Sequence, residues 1–330
     1  MEKLHSMRRH SQFEENYKWY ILLFVKMFLT WELSAWDKKN ISNLSHQRLN
    51  VKNPKKNFNF EKWLVGFTDG DGSFIIYKTK NTYNLAFKIS QNKYNIRILY
   101  YIKKNIGVGS VNEEKNSNMA QYCVYSRQKL KDYIIPIFNK YPLLTIKYYN
   151  YERFKKAYHI LEDKYLSQKQ KNKLIENLIL LKSNINFYIS PINFVLWYSV
   201  LQNIEKFIYK EWLIGFIEAE GSFYISKNQL NYVYYFGICQ KYDKHLLEGI
   251  KIILNLTNNT IYYNKKDKCY YLQTKNKQSI KHIINYVDGY LKGVKSLEFK
   301  LWKRAFNNNY NNNKLQKIQL IMRKLRKKNN

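Results

Sequence analysis

The chain has 330 residues, enough for two domains of ordinary size or one larger one. Its 57 lysine and arginine residues against 24 acids give a formal net charge of +33, which favours a polyanionic partner, nucleic acid before an anionic membrane. A mean hydropathy of −0.57 and an early apolar run that covers only 19–25 argue against a membrane protein, and three cysteines without metal-ligand spacing argue against a zinc site or a disulfide framework.

The first half of the chain begins with a segment that has no counterpart later and continues with an orderly series of elements. Residues 1–59 match nothing in the rest of the sequence and are interpreted as an N-terminal extension. Apolar periodicity and strand-like alternation predict, in chain order, a helix over 62–71, strands over 73–80 and 82–91, a helix over 95–107, strands over 108–115 and 119–127, and a helix over 129–141.

The second half repeats this order of elements. Between the halves, two helices are predicted at 148–164 and 171–182, followed by a loop at 184–194. After a second helix that ends near 220, the pattern predicts strands over 222–229 and 231–240, a helix over 244–255, strands over 259–264 and 269–275, and a helix over 279–287. The order αββαββα occurs twice, which predicts an α+β fold of two pseudo-symmetric domains, each with an antiparallel saddle-shaped sheet covered by helices on one face.

The repeat also suggests domain boundaries. We expect a first domain at 60–165, a helical linker at 166–208, a second domain at 209–305 and a basic C-terminal tail at 306–330. The tail ends in a run of lysine and arginine, so we expect it to be a solvated helix that frays.

One phrase carries the repeat most clearly. "WLVGFTDGDGSF" at 63–74 and "WLIGFIEAEGSF" at 212–223 are identical at seven of twelve positions, and acids are exchanged only for acids. Small residues four positions apart recur on one face of each helix, beginning at Gly66 and Gly215. Because small residues let two helix backbones approach closely, we expect these helices to form the interface between the domains.

Both helices end in acids, which is unfavourable for an isolated helix. Asp69 and Asp71 close the first copy, and Glu218 and Glu220 close the second. A helix C-terminus carries partial negative charge, so each carboxylate there costs about 0.3–1 kcal/mol. A hard divalent cation would reverse this balance, because carboxylate and carbonyl oxygens are the ligands that Mg²⁺ prefers.

The two phrases, read as "LVGFTDGDG" at 64–72 and "LIGFIEAEG" at 213–221, resemble the two motifs of the LAGLIDADG homing endonucleases of the double-motif, monomeric type. The resemblance covers about residues 60–300. It implies that the motif helices form the domain interface and that the last acid of each motif binds the catalytic metal, Mg²⁺, for which Mn²⁺ could substitute.

Transferred onto this sequence, the family pattern assigns specific residues. The metal would be held by Asp71 and Glu220 with the backbone carbonyls of Gly70 and Ala219, whereas Asp69 and Glu218 are not expected to bind it directly.

Two further pairs of residues keep the register of the repeat. Gln91 and Gln240 stand 149 residues apart, and Lys147 and Lys295 stand 148 apart. The resemblance implies that the glutamines lie near the attacking water and the lysines near the scissile phosphate. The glutamates of the second copy depart from the usual aspartates, but glutamate at the metal position occurs in the family.

The strands after each motif predict a DNA-binding surface. Because side chains alternate along a strand, Phe74 and Ile76 face one side and their neighbours face the other, which is mostly polar. A twisted ribbon with a polar face fits the major groove, where base edges carry a full donor and acceptor code. The polar positions predicted to contact DNA are Ser73, Tyr77, Thr79, Lys88, Ser222, Tyr224, Ser226 and Asn228.

The function predicted from the sequence is a monomeric, site-specific, Mg²⁺-dependent endonuclease that hydrolyses one phosphodiester on each strand of a long asymmetric DNA target. It would be encoded within an intron of a mitochondrial genome, with a chloroplast genome as the alternative. A rival interpretation is an RNA maturase that assists splicing of its own intron, with or without DNA cleavage. A DNA-binding regulator without cleavage is disfavoured, because the acids are intact in both copies.

The phrase "DGDGSF" at 69–74 could also suggest a calcium-binding EF-hand loop. That motif needs glycine at its sixth position and glutamate at its twelfth, where this chain has Phe74 and Lys80. The calcium-loop interpretation is therefore rejected.

Overall fold

Two four-stranded antiparallel sheets, one in each half of the chain, organise the fold. The computed structural model describes residues 58–180, 190–192, 201–256, 260–308 and 310–327. The N-terminal extension, but for its last two residues, and most of the loop predicted at 184–194 lie outside the described residues.

The first half follows the predicted order of elements. Its segment 127–140, called α3, is helical throughout and has a π-helical turn at Leu130–Ile134. The other elements are α1 (Phe60–Asp71), β1 (Gly72–Thr79), β2 (Thr82–Asn92), α2 (Ile96–Ile106), β3 (Ser110–Glu113), β4 (Met119–Val124), α4 (Lys147–Glu162) and α5 (Gln168–Leu180).

The second half repeats this series after a short 3₁₀ helix at Leu201–Lys206. Its elements are α6 (Lys210–Glu220), β5 (Ser222–Asn228), β6 (Asn231–Gln240), α7 (Lys244–Ile253), β7 (Ile261–Asn264), β8 (Cys269–Thr274), α8 (Lys277–Val287), α9 (Lys295–Asn307) and α10 (Asn312–Lys327). The strand orders, β1-β2-β4-β3 and β5-β6-β8-β7, are the same in the two sheets. The predicted α+β fold of two pseudo-symmetric αββαββα units is confirmed.

Aromatic side chains fill the space between each sheet and its helices. Phe74 of β1 packs against Phe87 of β2 and against Phe138, Tyr151 and Phe154 of the helices, with ring centroids 5.0–5.5 Å apart. The alternation along β1 therefore places Phe74 in the core and its neighbours on the opposite face of the sheet. That opposite face is the one predicted to meet DNA.

The two halves meet through the motif helices α1 and α6. A Cβ atom added to Gly66 would lie 1.9 Å from the Trp212 carbonyl oxygen, and one added to Gly215 would lie 2.0 Å from the Trp63 carbonyl oxygen. Backbone therefore packs directly on backbone at these two positions, as the spacing of small residues predicts.

The C-terminal helix departs from its prediction. Residues 306–330 are predicted to form a solvated tail that frays, but α10 packs on the edge strand β5 and buries Leu315 and Met322. The Gln319 side-chain amide donates to the Ile225 carbonyl 2.8 Å away, and Arg326 donates to the Phe223 carbonyl. These donors satisfy carbonyls on the open edge of β5, which explains why this basic helix is held in place.

The helix α5 plays a matching part in the first half. The Asn172 amide of α5 donates to the Asn81 carbonyl in the β1–β2 turn, 2.6 Å away, and the Asn312 amide of α10 donates to the Leu230 carbonyl in the β5–β6 turn, 2.9 Å away. Leu230 follows Asn81 by 149 residues, the offset of the motif repeat. Each half therefore has a last helix that holds the turn of its first hairpin.

Across the parts of the chain that the structure describes, no helix is both long and apolar enough to cross a membrane.

Candidate active site

The last acid of each motif lies at the end of a motif helix, directly before a strand of the polar sheet face. Asp71 ends α1 and Glu220 ends α6, so the close packing of the two helices brings the carboxylates together. A Cβ atom on Gly70 would lie 2.2 Å from the Ala219 Cβ and 3.5 Å from Glu220 Oε1. Burial raises the pKa of both carboxyl groups, and the nearby Asp71 charge raises that of Glu220 further.

The two predicted glutamines reach these acids. The Gln91 amide at the end of β2 donates to Asp71 Oδ2, 2.6 Å away. In the second half, a hydrogen bond from Gln240 lowers the pKa of Glu220, against the larger opposing effect of burial. The register of the repeat, 149 residues in both pairs, therefore corresponds to a shared position beside the carboxylates.

The two predicted lysines lie at the same helix ends. The Lys147 ammonium donates to the Gly70 carbonyl, and the Lys295 ammonium donates to the carbonyls of Ala219, 2.9 Å away, and Gly221, 2.5 Å away. A cation at a helix C-terminus is favourable, so these lysines offset part of the electrostatic cost of the acids. The carbonyls of Gly70 and Ala219, which were predicted to bind metal, therefore each accept a hydrogen bond from one of these lysines.

Asp69 and Glu218 have a structural role that the sequence did not reveal. Both are buried, with 2% and 4% of their surface exposed. Asp69 accepts hydrogen bonds from the Leu144 and Thr145 backbone amides, at 2.9 and 3.0 Å, and from the Thr145 hydroxyl at 2.6 Å. Glu218 accepts from the Lys292 and Gly293 amides, at 2.6 and 3.0 Å.

These bonds fix the loops that lead into the two lysines predicted to be catalytic. Lys147 and Lys295 are the first residues of α4 and α9, directly after the loops bound by Asp69 and Glu218. Asp69 and Glu218, the first acid of each motif, therefore each hold the loop that places a lysine at the helix ends. Burial raises the pKa of Asp69 to about 6, while its four hydrogen-bond donors act in the opposite direction.

The fourth donor to Asp69 crosses the domain interface and has no counterpart in the other half. The Trp212 indole Nε1 donates to Asp69 Oδ2, 2.9 Å away. At the matching position, Trp63 Nε1 is buried and has no hydrogen-bond partner among the described residues. Otherwise the two rings are alike, since each is fully buried and stacks on the phenylalanine four residues later.

We therefore expect the substitutions Trp212→Phe and Trp63→Phe to differ in their effect on stability. Both remove similar apolar volume, but only Trp212→Phe takes a donor from a buried carboxylate, and hydrogen bonds to charged groups contribute about 1.5–3 kcal/mol. The free energy of unfolding in urea, measured at pH 8 where Asp69 is ionised, should be lower for Trp212→Phe by about 2 kcal/mol. Equal losses would show that the Trp212 bond to Asp69 contributes nothing.

The donor set at the helix ends fits a hard divalent cation. The carboxylates of Asp71 and Glu220 and the carbonyls of Gly70 and Ala219 are all oxygen donors, the ligand type that Mg²⁺ prefers. Within the described ranges, no group of three or more His, Cys, Asp or Glu side chains is placed to hold a metal ion. A cation at this site would therefore depend on two carboxylates, backbone carbonyls and water or phosphate oxygens.

The residues predicted to contact DNA lie on the sheet faces opposite the aromatic core, and on the second sheet Tyr224 and Ser226 also line a pocket with α10. On the first sheet Ser73 pairs with Lys88 across β1 and β2, and Tyr77 and Thr79 follow on the same face. Lys88 also lies 3.8 Å from Glu114, so its charge is partly compensated. The positions on the second sheet are Ser222, Tyr224, Ser226 and Asn228 of β5, opposite the buried Phe223.

On the second sheet, the predicted Tyr224 has aromatic neighbours that were not predicted. Tyr224 stacks on Tyr235 of β6, with ring centroids 5.1 Å apart, and Tyr262 of β7 stacks on Tyr271 of β8 at 5.5 Å. The Gln273 amide donates to the Tyr224 hydroxyl on the same face. Alternation applied to β6, β7 and β8 as well as to β5 predicts Tyr235, Tyr262 and Tyr271 on this face, because the buried Phe236 and Leu272 alternate with residues on it.

Comparisons with known proteins agree with this arrangement. The family model described as LAGLIDADG endonuclease matches residues 64–158 and 213–306, which are the two halves described above. A relative from Schizosaccharomyces pombe, named probable intron-encoded endonuclease Cox1-I1b, is 42% identical over 281 residues, which cover 82% of this chain and 70% of the relative.

Solved structures give the same result for the fold. The LAGLIDADG homing endonuclease I-GzeII in complex with its DNA target is 26% identical, with a TM-score of 0.64 over 78% of this chain and 96% of that one. Meganuclease I-SmaMI bound to uncleaveable DNA is 25% identical, with a TM-score of 0.63 over 81% of this chain and 97% of that one. The resemblance of the two motifs is thus confirmed, and the chain belongs to the LAGLIDADG endonuclease family.

Proposed function

We propose that this protein is a homing endonuclease that cuts both strands of one long, asymmetric DNA site as a monomer. The observation that supports it most is the pairing of Asp71 and Glu220 at adjoining helix ends, each with its own glutamine and lysine. Asp71 directly precedes β1, and Glu220 is separated from β5 by Gly221 alone; the face of each strand that points away from the core is mostly polar. Two such faces side by side suit a long site whose halves differ in sequence.

In this proposal the chain's residues divide the work between the two strands. Asp71 and Glu220, with the carbonyls of Gly70 and Ala219, would hold Mg²⁺, or Mn²⁺ in its place. The bound metal would stabilise negative charge that develops on the scissile phosphate and would lower the pKa of a water molecule. Gln91 and Gln240 would orient that water, and Lys147 and Lys295 would place positive charge beside the phosphate.

The relatives suggest where the gene lies. The Schizosaccharomyces pombe relative is named for an intron of cox1, a mitochondrial gene, so we propose a mitochondrial intron as the source of this chain. Intron RNA remains the alternative partner predicted from the sequence, because the charge of +33 would attract RNA as well as DNA. The paired carboxylates favour cleavage, since binding and ordering RNA does not require them.

The test uses mitochondrial DNA from a strain that lacks the intron. The purified chain should cut this DNA once per genome in the presence of Mg²⁺, within the intron-free form of the host gene, and the cox1 coding sequence is the first fragment to examine. Both strands should be cut, and omitting the divalent metal should prevent cleavage.

The double variant Asp71→Asn, Glu220→Gln serves as the matched control for contaminating nucleases. The endonuclease proposal would be abandoned if the wild-type chain cut nothing across Mg²⁺ and Mn²⁺ conditions while remaining folded. Promotion of intron splicing by the same preparation would then make the maturase the better account.

A further inference from the structure

A row of three hydrogen bonds joins the first catalytic acid to the backbone of the other half. The Val294 backbone N–H donates to Asn95 Oδ1, 2.9 Å away, and Asn95 Nδ2 donates to Gln91 Oε1, 2.7 Å away. Gln91 Nε2 in turn donates to Asp71 Oδ2, 2.6 Å away. We call these three bonds the amide relay. It links residues 199 positions apart in the sequence and crosses the domain interface.

The direction of the relay is fixed at its backbone end, and an ionised Asp71, which can only accept, requires the same direction. The amide groups of asparagine and glutamine have one end that donates and one that accepts, and the two ends are nearly equal in shape. A backbone N–H can only donate, so Asn95 must present its oxygen to Val294 and its amino group to Gln91. Gln91 must then present its oxygen to Asn95, which leaves its amino group for Asp71.

The fixed end of the relay belongs to the loop that carries the second catalytic lysine. The Gly293 amide, beside Val294, donates to the buried Glu218, and Lys295 follows Val294 directly. A Cβ atom on Gly293 would lie 2.5 Å from Asn95 Oδ1, so a side chain there would displace the asparagine. The loop is therefore held from two sides, by Glu218 of its own half and by Asn95 of the other.

The second half cannot repeat this arrangement. The buried residues of α2 and α7 stand 148 positions apart, so the residue that matches Asn95 is Asp243, which directly precedes α7 as Asn95 precedes α2. Asp243 is buried and accepts from the Ser190 hydroxyl, 2.8 Å away, and an ionised carboxylate has no N–H group to donate to Gln240. In the first half, the loop before Lys147 is held by Thr145 of that same half, whose hydroxyl accepts from the Lys147 amide. The relay therefore runs one way, from the second half into the first.

We propose, on the basis of the endonuclease function above, that Asn95 is a positioning residue for the Asp71 half of the active site. It orients the Gln91 amide so that an N–H group faces Asp71, and it takes this orientation from the backbone beside Lys295. Cleavage of the strand served by Asp71 thus depends on the lysine loop of the second half, whereas the strand served by Glu220 has no such dependence on Asn95.

The substitution Asn95→Asp tests this directly. A carboxylate at 95 would still accept from Val294 but could not donate to Gln91, so it would compete with Asp71 for the Gln91 amino group and draw that group away from Asp71. On the DNA fragment that the wild type cuts, the strand whose cleavage is slowed by Gln91→Ala identifies the strand served by Asp71. We expect Asn95→Asp to slow cleavage of that same strand by about tenfold or more, so that nicked DNA accumulates. Asn95→Ala removes the bond to Gln91 without adding a competing acceptor, so the Gln91 amide can keep either orientation. This variant should slow cleavage of the same strand less.

Two controls separate positioning from a general structural role. Lys244→Ala, at the start of α7, should leave both strands within about twofold of the wild-type rate, because it removes only an exposed ion pair with Glu248. In a Gln91→Ala background, Asn95→Asp should have no further effect on the affected strand. Equal slowing of both strands, or the same tenfold slowing with and without Gln91, would overturn the proposal.

A measurement without DNA keeps the relay separate from the function. The urea unfolding constants of the wild type, Asn95→Ala, Gln91→Ala and the double variant form a cycle, and we expect the two residues to be coupled about fivefold. If the wild type cuts no DNA, the proposed function fails while this cycle still decides whether the bond between Asn95 and Gln91 contributes. Independent, multiplicative effects in the cycle would overturn the relay even in an active enzyme.

Discussion

Exchanging Asp71 for Asn and Glu220 for Gln is expected to abolish DNA cleavage while leaving the fold and DNA binding intact. Each amide keeps the shape of its acid but loses the charge that would hold a divalent cation. Because that cation supplies several kcal/mol of transition-state stabilisation, cleavage should fall by about 10³-fold or more. Rates on end-labelled DNA, together with gel-shift affinity in EDTA, give the two readouts.

The stability of this double variant should equal or slightly exceed that of the wild type. Burial raises the pKa of both carboxyl groups above their ordinary values, so the folded protein favours their neutral forms. At a pH above these raised pKa values, the two ionised carboxylates therefore destabilise the folded state, and replacing them by neutral amides removes this destabilisation. A large drop in the free energy of unfolding would show that the two acids are structural.

Asp69→Asn is the matched control, because it makes the same chemical change two residues earlier in α1. Four donors are directed at the two oxygens of Asp69, two at each. An asparagine would turn its amino group toward two of these donors inside the protein, at a cost of about 1–3 kcal/mol. We expect this variant to lose stability first and activity only as a consequence.

The repeat made much of this site predictable from the sequence. Two copies of one motif in register show which residues share a position, and the offset near 149 selected Gln91, Gln240, Lys147 and Lys295 out of a chain rich in lysine. The structure brings all four to the ends of the motif helices. Strand alternation likewise separated the core face from the polar face, because one buried face imposes a period of two.

Contacts between distant polar groups leave no such periodic signal. The packing of sheets and helices decides where the loops cross, and so which polar groups meet. It is this that brings Leu144 to Asp69, Gly293 to Glu218 and Val294 to Asn95. The role of α10 was missed for a similar reason. Its basic composition suggests a solvated end, whereas the open carbonyls of β5 that hold it belong to a strand about 90 residues earlier.

The largest loss of stability is expected from Gly66→Ala and Gly215→Ala. In a helix free of contacts, alanine would be the more stable residue by about 0.8–1.0 kcal/mol. Here the added methyl groups would lie 1.9 and 2.0 Å from carbonyl oxygens of the facing helix, and backbone cannot move aside as a flexible side chain can. The helices must separate, so each variant should lose about 3 kcal/mol or more of unfolding free energy.

Gly237→Ala provides the matched control for these two substitutions. A Cβ atom there would lie 3.7 Å from the Leu272 carbonyl oxygen, which is ordinary contact. We therefore expect a change of only about 0.5 kcal/mol, as at sites away from tight packing. Similar losses at all three glycines would mean that backbone contact between α1 and α6 is not the cause.

Gly70 and Ala219 allow a stricter test, because the two motifs differ by one methyl group at this point. A Cβ atom on Gly70 would lie 2.2 Å from the Cβ of Ala219, so Gly70→Ala should be strongly destabilising. Ala219→Gly removes the obstructing methyl, and the double variant Gly70→Ala, Ala219→Gly should therefore recover most of the lost stability. The unfolding free energies of the four proteins form a cycle in which the two changes should compensate each other by at least about 1 kcal/mol. Additive losses would show that the ends of α1 and α6 are not in contact, and the shared site for Asp71 and Glu220 would lose its geometric basis.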